Sequence, residues 1–186
     1  MARDRNALEQ EVRTWIGDDP DPQTQSELTK LLENQDWSAL EERFNGPLDF
    51  GTAGLRGLVG GGPSRMNRVT VAQASAALAR QLMADVVDAA QRGVVVARDG
   101  RNMSPEFAEV TAEVLLGYGL NVYFMDGPTP TPIAAFAGRK LNTAATVVVT
   151  ASHNPPAYNG YKVYSHQHHQ IVSPQDTRIR SERTKL

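Results

Sequence analysis

The residues best suited to chemistry lie together, in a loop that follows an apolar segment late in the chain. Residues 144–149 are mostly apolar and rich in β-branched side chains, without alternation, which is typical of a strand buried on both faces. Ser152, His153 and Asn154 come shortly afterwards, and the two prolines behind them exclude regular structure. Open α/β sheets place their chemistry in loops at the carboxyl ends of strands. The sequence therefore predicts an active site in this loop.

The residues that follow the loop are expected to return the chain to it and to place a lysine beside it. A turn is predicted at Asn159-Gly160, and the alternating segment 161–164 that follows it carries Lys162. A hydroxyl, an imidazole, an amide and an ammonium group would then meet at one edge of the sheet. Considered alone, Lys162 is also typical of a strand lysine whose stem lies along an apolar surface.

A second motif, residues 46–57, surrounds Arg56 with turn-forming residues, and residues 58–59 are expected to belong to a strand. Glycine lets the backbone approach an anionic group closely, and an arginine fork can bind that group with two hydrogen bonds. The spacing matches neither a Walker loop nor a dinucleotide-binding fingerprint. A glycine-rich hairpin with a surface arginine stays open as the alternative interpretation of this segment.

The surroundings of Ser152 argue against a serine hydrolase. Such an enzyme needs a base hydrogen-bonded to the hydroxyl, but adjacent side chains on an extended backbone, such as Ser152 and His153, point to opposite sides. The loop also lacks the G-x-S-x-G motif of nucleophile elbows. A phosphatase would need a placed water and a metal ion for which the sequence offers no residues.

A phosphate-carrying serine fits the residues better. Phosphoryl transfer requires mainly positioning and positive charge, which Lys162 and Arg56 could supply, with His153 and Arg101 as further candidates. A lysine beside other cations has a lowered pKa, which suits proton exchange with a sugar hydroxyl. A local turn in which Ser152 bonds the nearby backbone stays open at this point.

The first 45 residues predict only helices. Apolar residues at helical spacing indicate helices over residues 4–16, ended by Gly17, and over 37–44. A third helix is expected between them, capped by Thr24 or Ser26. This segment is expected to pack on the outside of the α/β part as a separate helical extension, residues 1–45.

The remainder, residues 46–186, alternates strands and helices at βαβ spacing. We predict a three-layer α/β/α sandwich with a mostly parallel, mixed four-stranded sheet, preceded by the short N-terminal helices. The expected helices are a long one over residues 70–91, one capped by Ser104, and one around 133–137, and a last helix is expected to start at Ser173-Pro174. The expected strands are 58–59, 94–97, 122–124 and 144–149.

Composition excludes several classes of function. The chain has 186 residues with a formal net charge of −2, which gives no basic surface for nucleic acid. No cysteine is present, so disulfides and thiolate metal sites are excluded, and no segment reaches membrane-spanning length. We expect a cytoplasmic protein. The histidines of segment 166–169 lack a carboxylate at useful spacing, so we interpret them as a solvated turn.

Two motifs resemble those of one enzyme family. The segment Thr150 to Lys162, TASHNPPAYNGYK, is similar to the active-site loop of the α-D-phosphohexomutases, the phosphoglucomutases, phosphomannomutases and their relatives. The segment Asp49 to Gly57, DFGTAGLRG, resembles the N-terminal substrate loop of that family. The resemblance extends from about residue 40 to 180 and is greatest to the phosphoglucomutase 2 and phosphopentomutase-like branch.

The resemblance implies a role for each candidate residue. Ser152 would carry the transferable phosphoryl group, and its phosphate would be one ligand of Mg2+. Lys162 would be the general acid/base, His153 and Arg56 would line the transfer site, and Thr52 and Asn154 would contact the substrate. The substrate would be a hexose or pentose phosphate, converted through a bisphosphate intermediate, with a glucose 1,6-bisphosphate-type activator.

The resemblance covers only the first of the four domains found in the family. The other Mg2+ ligands, an aspartate-rich loop of the second domain, have no counterpart here, so the chain alone is expected to have little or no mutase turnover. We expect missing domains or a partner chain, because the sequence reads like a protein that stops early. The alternative is a non-catalytic domain that binds sugar phosphates.

Overall fold

A computed structural model describes residues 3–51 and 54–184 of the chain, and it forms an α/β fold around one mixed sheet. Within these residues the elements in chain order are α1 (Arg5–Asp18), α2 (Pro22–Glu33), α3 (Trp37–Arg43), β1 (Gly54–Leu58), α4 (Arg68–Asp85), α5 (Ala89–Arg92), β2 (Val94–Arg98), α6 (Ser104–Gly117), β3 (Val122–Pro128), α7 (Thr131–Leu141), β4 (Ala145–Val149), β5 (Tyr158–Tyr164) and α8 (Gln175–Arg183).

The sheet has five strands among the described residues, not the four that we predicted. Their order is β1-β5-β4-β2-β3, with parallel pairing of β4, β2 and β3 and antiparallel pairing on both sides of β5. Four strands therefore run in one direction and β5 runs in the other. The predicted mostly parallel, mixed sheet is confirmed, and the strand that we missed is β5.

The predicted turn at Asn159-Gly160 is wrong, because both residues lie inside β5 and pair with β1. The chain reverses earlier, where the Tyr158 amide donates to the Pro155 carbonyl at 3.0 Å. Glycine is required at position 160 for packing: a Cβ there would lie 2.6 Å from the Thr150 carbonyl oxygen. The Asn159-Gly160 dipeptide therefore lies where two backbone segments approach closely, and not at a turn.

Helices cover the two faces of the sheet unequally. The main core lies on one face, where α4, α6 and α8 pack with inward residues such as Val147 and Tyr161. On the other face α7 packs on β2 and β4, and Ala134 forms a small core with Ala97 and Val148. These three layers match the predicted sandwich. Among residues 3–51 and 54–184, α7 packs on β2 and β4 on this side and leaves β1 and β5 uncovered.

Several predicted helix ends differ from the structure. Gly17 does not end the first helix, since α1 continues through it to Asp18. The helix expected over residues 70–91 is divided into α4 and α5, with Asp88 in the left-handed region (φ 56°). Ser104 is the first residue of α6 and not its cap, and its hydroxyl donates to Asp99 at 2.7 Å. Helix α2 is capped by the Asp21 carboxylate, with a proline in its first turn, instead of by Thr24 or Ser26.

Helices α1, α2 and α3 share a small apolar core of their own, which includes Leu8, Leu28 and Leu40. They meet the rest of the protein at the glycine triplet 60–62, where the Gly61 amide donates to Glu27 at 2.8 Å. A Cβ at Gly61 would lie 2.7 Å from the Leu28 side chain. The small residues of this loop thus allow the N-terminal helices to pack closely.

The histidine-rich segment forms a tight turn, as predicted. The Ser165 amide donates to the His169 carbonyl at 2.9 Å, and Tyr164 pairs with Gln170. Among residues 3–51 and 54–184, no helix is both long enough and apolar enough to cross a membrane.

Substitution Gly160→Ala tests the close packing of β5. The new methyl group would meet backbone oxygens, which cannot move aside as a flexible side chain can, so we expect a loss of about 2 kcal/mol in the free energy of unfolding. Gly17→Ala is the control, because a Cβ at position 17 in helix α1 meets nothing within 4 Å. It should stabilise the protein by up to about 1 kcal/mol. Urea denaturation measures both changes, and equal effects would contradict the packing argument.

Candidate active site

Two loops meet at the carboxyl edge of the sheet. The serine loop, residues 150–157, follows β4, and residues 99–103 follow the neighbouring parallel strand β2. The Asp99 amide donates to the Val149 carbonyl at 3.1 Å, which holds the beginnings of the loops side by side. The charged residues of the 99–103 loop therefore lie beside the serine loop at this edge.

Arg101 binds the backbone at three points of the serine loop and at the first residue of β5. Its guanidinium group donates to the carbonyl oxygens of Ser152 (2.7 Å), Asn154 (2.9 Å), Pro155 (3.0 Å) and Tyr158 (3.2 Å). Its Nε atom lies 3.2 Å from the Asp99 carboxylate. We had considered Arg101 as a source of charge for a phosphoryl group. Its described contacts instead make it the residue that shapes the loop.

A polar network continues from Asp99 into β5. The Asp99 Oδ1 atom accepts from the Arg101 amide at 3.0 Å and from the Ser104 hydroxyl at 2.7 Å. The buried Asn159 side chain donates to Ser104 Oγ and to the Asn102 carbonyl, both at 3.0 Å. A buried amide is costly unless it is hydrogen-bonded. Asn159 thus fixes the 99–104 loop against β5.

Ser152 is half-buried and has an unusual backbone conformation. Its φ angle is 57°, in the left-handed region that non-glycine residues rarely adopt, and its amide donates to Thr150 Oγ1 at 3.0 Å. Such a conformation persists where the surroundings fix it, and here Arg101 holds the carbonyl of the same residue. Ser152 and Asn154 line a surface cavity of about 420 Å³ together with the Asp99–Asn102 loop.

Arg56 and Lys162 lie on the same face of the β1–β5 pair. Arg56 is opposite Gly160, and side chains two residues apart on a strand share a face, so Lys162 is diagonal to Arg56. Lys162 is also opposite Val148, whose side chain points to the α7 side. The two cations therefore project from the part of the sheet that α7 leaves bare, beside the end of β4.

The position of Lys162 makes its ammonium proton easier to remove. Partial burial, followed by the positive charge of Arg56, lowers the pKa of Lys162, and the negative charge of Asp99 acts in the opposite direction. The prediction of a lysine with a lowered pKa is thus supported by its surroundings. A lysine that gives up its proton more readily can exchange protons with a hydroxyl group near neutral pH.

The predicted residues are not all in the same cavity. Ser152 and Asn154 line it, whereas Arg56 and Lys162 belong to the adjacent sheet face. His153 is exposed at the tip of the serine loop. Thr52 lies outside the described residues. A larger cavity of about 610 Å³, near the Asp85–Arg178 ion pair, contains none of the predicted site residues.

The sequence did not indicate that Asn159 and Ser104 belong to the site. Their contacts join segments more than fifty residues apart, which no local pattern reports. One signal was available in the sequence. Asp99-Gly100-Arg101 follows a buried strand and places a carboxylate and a guanidinium group in the same loop.

The residues present do not complete a Mg2+ site. Among the described residues no three histidine, aspartate or glutamate side chains are grouped to hold a metal ion. The Asp99 carboxylate, which is near Ser152, is already bonded to Arg101 and Ser104. Magnesium prefers about six oxygen ligands, so a phosphate on Ser152 would give it one and the others would come from elsewhere.

The chain belongs to the phosphoglucomutase/phosphomannomutase family, whose model for the alpha/beta/alpha domain I matches residues 47–186. It is 40% identical to the phosphoribomutase of Saccharomyces cerevisiae over 175 aligned residues. The alignment covers 92% of this chain and 28% of the yeast protein. It is 37% identical over 178 residues to the human glucose 1,6-bisphosphate synthase, with 92% and 29% covered.

Solved structures agree with this assignment. A phosphoglucomutase/phosphomannomutase family protein from Burkholderia thailandensis superposes with a TM-score of 0.62 at 28% identity, over 73% of this chain and 30% of that protein. The chain therefore spans less than a third of the relatives that it matches.

The electrostatic coupling of Lys162 to Arg56 can be measured directly. Substitution Arg56→Gln removes a neighbouring positive charge, which favours the protonated amine, so the pKa of Lys162 should rise. NMR titration of the lysine side chains measures this value. Arg13→Gln in α1 is the control and should leave the pKa of Lys162 unchanged. An unchanged value in the Arg56 variant would show that the two side chains are not neighbours.

The role of Arg101 in the loop predicts a loss of stability on Arg101→Gln. Several carbonyl oxygens would lose a charged donor at once, so we expect about 2 kcal/mol of destabilisation. For a chain of this length that is roughly 4–8 °C in Tm, measured by calorimetry. Arg98→Gln is the control, since Arg98 donates to the single carbonyl of Asp99 at 3.3 Å. Equal losses in both variants would contradict the role given to Arg101.

Proposed function

We propose that this chain is the phosphoserine-bearing part of a phosphomutase that interconverts a sugar 1-phosphate and a sugar 6-phosphate, or a pentose 1- and 5-phosphate. The observation that carries the proposal is the arrangement around Ser152. Its loop is held by Arg101 at the rim of the sheet, with Arg56 and Lys162 on the adjoining bare face. Family membership and mutase relatives support the same class.

Ser152 is the residue that carries the phosphoryl group in this proposal. In transfer to the sugar, the bond between phosphorus and Ser152 Oγ breaks, and a bond from phosphorus to a sugar hydroxyl oxygen forms. The hydroxyl proton passes to the deprotonated form of Lys162, which partial burial and Arg56 make easier to reach by lowering the pKa of Lys162. Ser152 Oγ, which leaves as an alkoxide, takes up a proton from solvent water, and the Lys162 ammonium group returns its proton to solvent. The second transfer, from the other end of the bisphosphate, reverses these changes.

The remaining predicted residues act on charge and position. Arg56 offsets negative charge on the moving phosphoryl group, and exposed His153 contributes to the same site. Asn154 and Thr52 contact the substrate. The phosphate on Ser152 would be one ligand of Mg2+, which offsets charge when bound.

The substrate class is a phosphorylated pentose or hexose. The yeast relative is named for a phosphorylated ribose, and the human one for glucose 1,6-bisphosphate, which suits an activator of that type. We further propose that residues 1–45 are an extension to a domain formed by residues 46–186, and that turnover requires the polypeptide present in the longer relatives. A compartment where sugar phosphates are converted, the cytoplasm, fits this role.

Intact mass after incubation with glucose 1,6-bisphosphate tests the central role of Ser152. We expect one added phosphoryl group on the wild-type chain and none on Ser152→Ala. Ser38→Ala, at an exposed serine of α3, is the control and should be labelled like the wild type. Equal labelling of the Ser152 variant would remove that residue from the mechanism. Binding of the bisphosphate without labelling would favour the alternative, a non-catalytic domain that binds sugar phosphates.

A further inference from the structure

The segment that leads into β1 determines where Arg56 lies. Residues 47–50 belong to no helix or strand, and Gly51 then exchanges hydrogen bonds of 3.0 and 3.1 Å with Gly54, the first residue of β1. Arg56 follows two residues after Gly54. Any movement of segment 47–51 would therefore be passed directly to β1 and to the guanidinium group of Arg56.

Two arginines of α8 hold this segment. Arg180 donates to the Phe50 carbonyl at 2.9 Å and forms an ion pair with Asp49 at the same distance. Arg183 donates to the Leu48 carbonyl. The rigid fork of an arginine can join two acceptors at once, so these two side chains fix three consecutive residues of the segment.

Helix α8 is a fixed support for these bonds. Its Ile179 side chain is fully buried in the main core, and the helix packs along α4. A cleft of about 320 Å³ separates α8 from segment 47–50, and Arg183 lies in its wall. Burial lowers the pKa of Arg183, with Asp49 acting in the opposite direction. Hydrogen bonds in such a partly desolvated cleft are stronger than in water.

We infer that Arg180 and Arg183 are positioning residues for the phosphoryl-transfer site. By holding the carbonyl groups of segment 47–51, they set the register of β1 and thereby the place of Arg56. The catalytic meaning of this inference rests on the proposed function. Its structural step, from α8 to β1, is independent of any activity.

Amide hydrogen exchange tests the structural step. In the double variant Arg180→Gln/Arg183→Gln we expect exchange in residues 54–58 to be about 10-fold faster, while residues 94–98 of β2 keep their protection. Arg178→Gln is the matched control. Arg178 lies on the same helix and forms a comparable ion pair of 2.6 Å with Asp85. Its partner belongs to α4, however, and not to segment 47–51. The control should leave residues 54–58 unchanged.

The pKa of Lys162 reports on the site itself. If Arg56 becomes mobile, Lys162 loses part of a neighbouring positive charge, so its pKa should rise in the double variant and stay unchanged in Arg178→Gln. Labelling of Ser152 by glucose 1,6-bisphosphate should need a higher concentration for half-saturation in the double variant, with a smaller change in the maximum rate.

Each result either supports or overturns the inference. Unchanged exchange in residues 54–58 of the double variant, or an equal loss of protection in Arg178→Gln, overturns it. A wild-type chain that glucose 1,6-bisphosphate does not label contradicts the proposed function instead. In that case the exchange result still decides whether α8 positions β1.

Discussion

The candidate site depends on the binding of one guanidinium group to the backbone of one loop. Arg101 donates to four carbonyl oxygens of the segment between Ser152 and Tyr158, and Asp99 balances its charge. Hydrogen bonds from a charged donor are about twice as strong as neutral ones. This set of bonds explains how Ser152 keeps a positive φ angle at a half-exposed edge, where a loop would otherwise sample many conformations.

The sheet topology separates two kinds of cation. The parallel strands β2 and β4 place Arg101 beside the serine loop, where its donors are taken by the backbone. The reversed strand β5 and its partner β1 present Lys162 and Arg56 on the α7 side, on a part of the sheet that no helix covers within the described part of the chain. One arginine thus gives the site its shape, and the other cations remain available to an anion. The structure in this way joins a rigid loop to an open, positively charged surface.

Much of the fold, and the position of the serine loop at the end of a buried strand, could be predicted because their signals are local. The buried strands and the loop around Ser152 are continuous in sequence, and the two motifs resemble known loops. The fifth strand was missed because Asn159-Gly160 has the local composition of a turn, whereas tertiary contacts keep it extended. The function of Arg101 could not be predicted either, because its acceptors lie more than fifty residues away. Long-range contacts, and not local secondary-structure propensity, determine the conformation of residues 159–160 and the role of Arg101.

A crystal structure of the chain with inorganic phosphate bound beside Ser152 tests this division of roles most directly. We expect phosphate oxygens within hydrogen-bond distance of Arg56 and Lys162, while Arg101 keeps its bonds to the carbonyl oxygens of the serine loop. A structure in which Arg101 leaves those carbonyls to bind the phosphate, with Arg56 and Lys162 turned away, would contradict it.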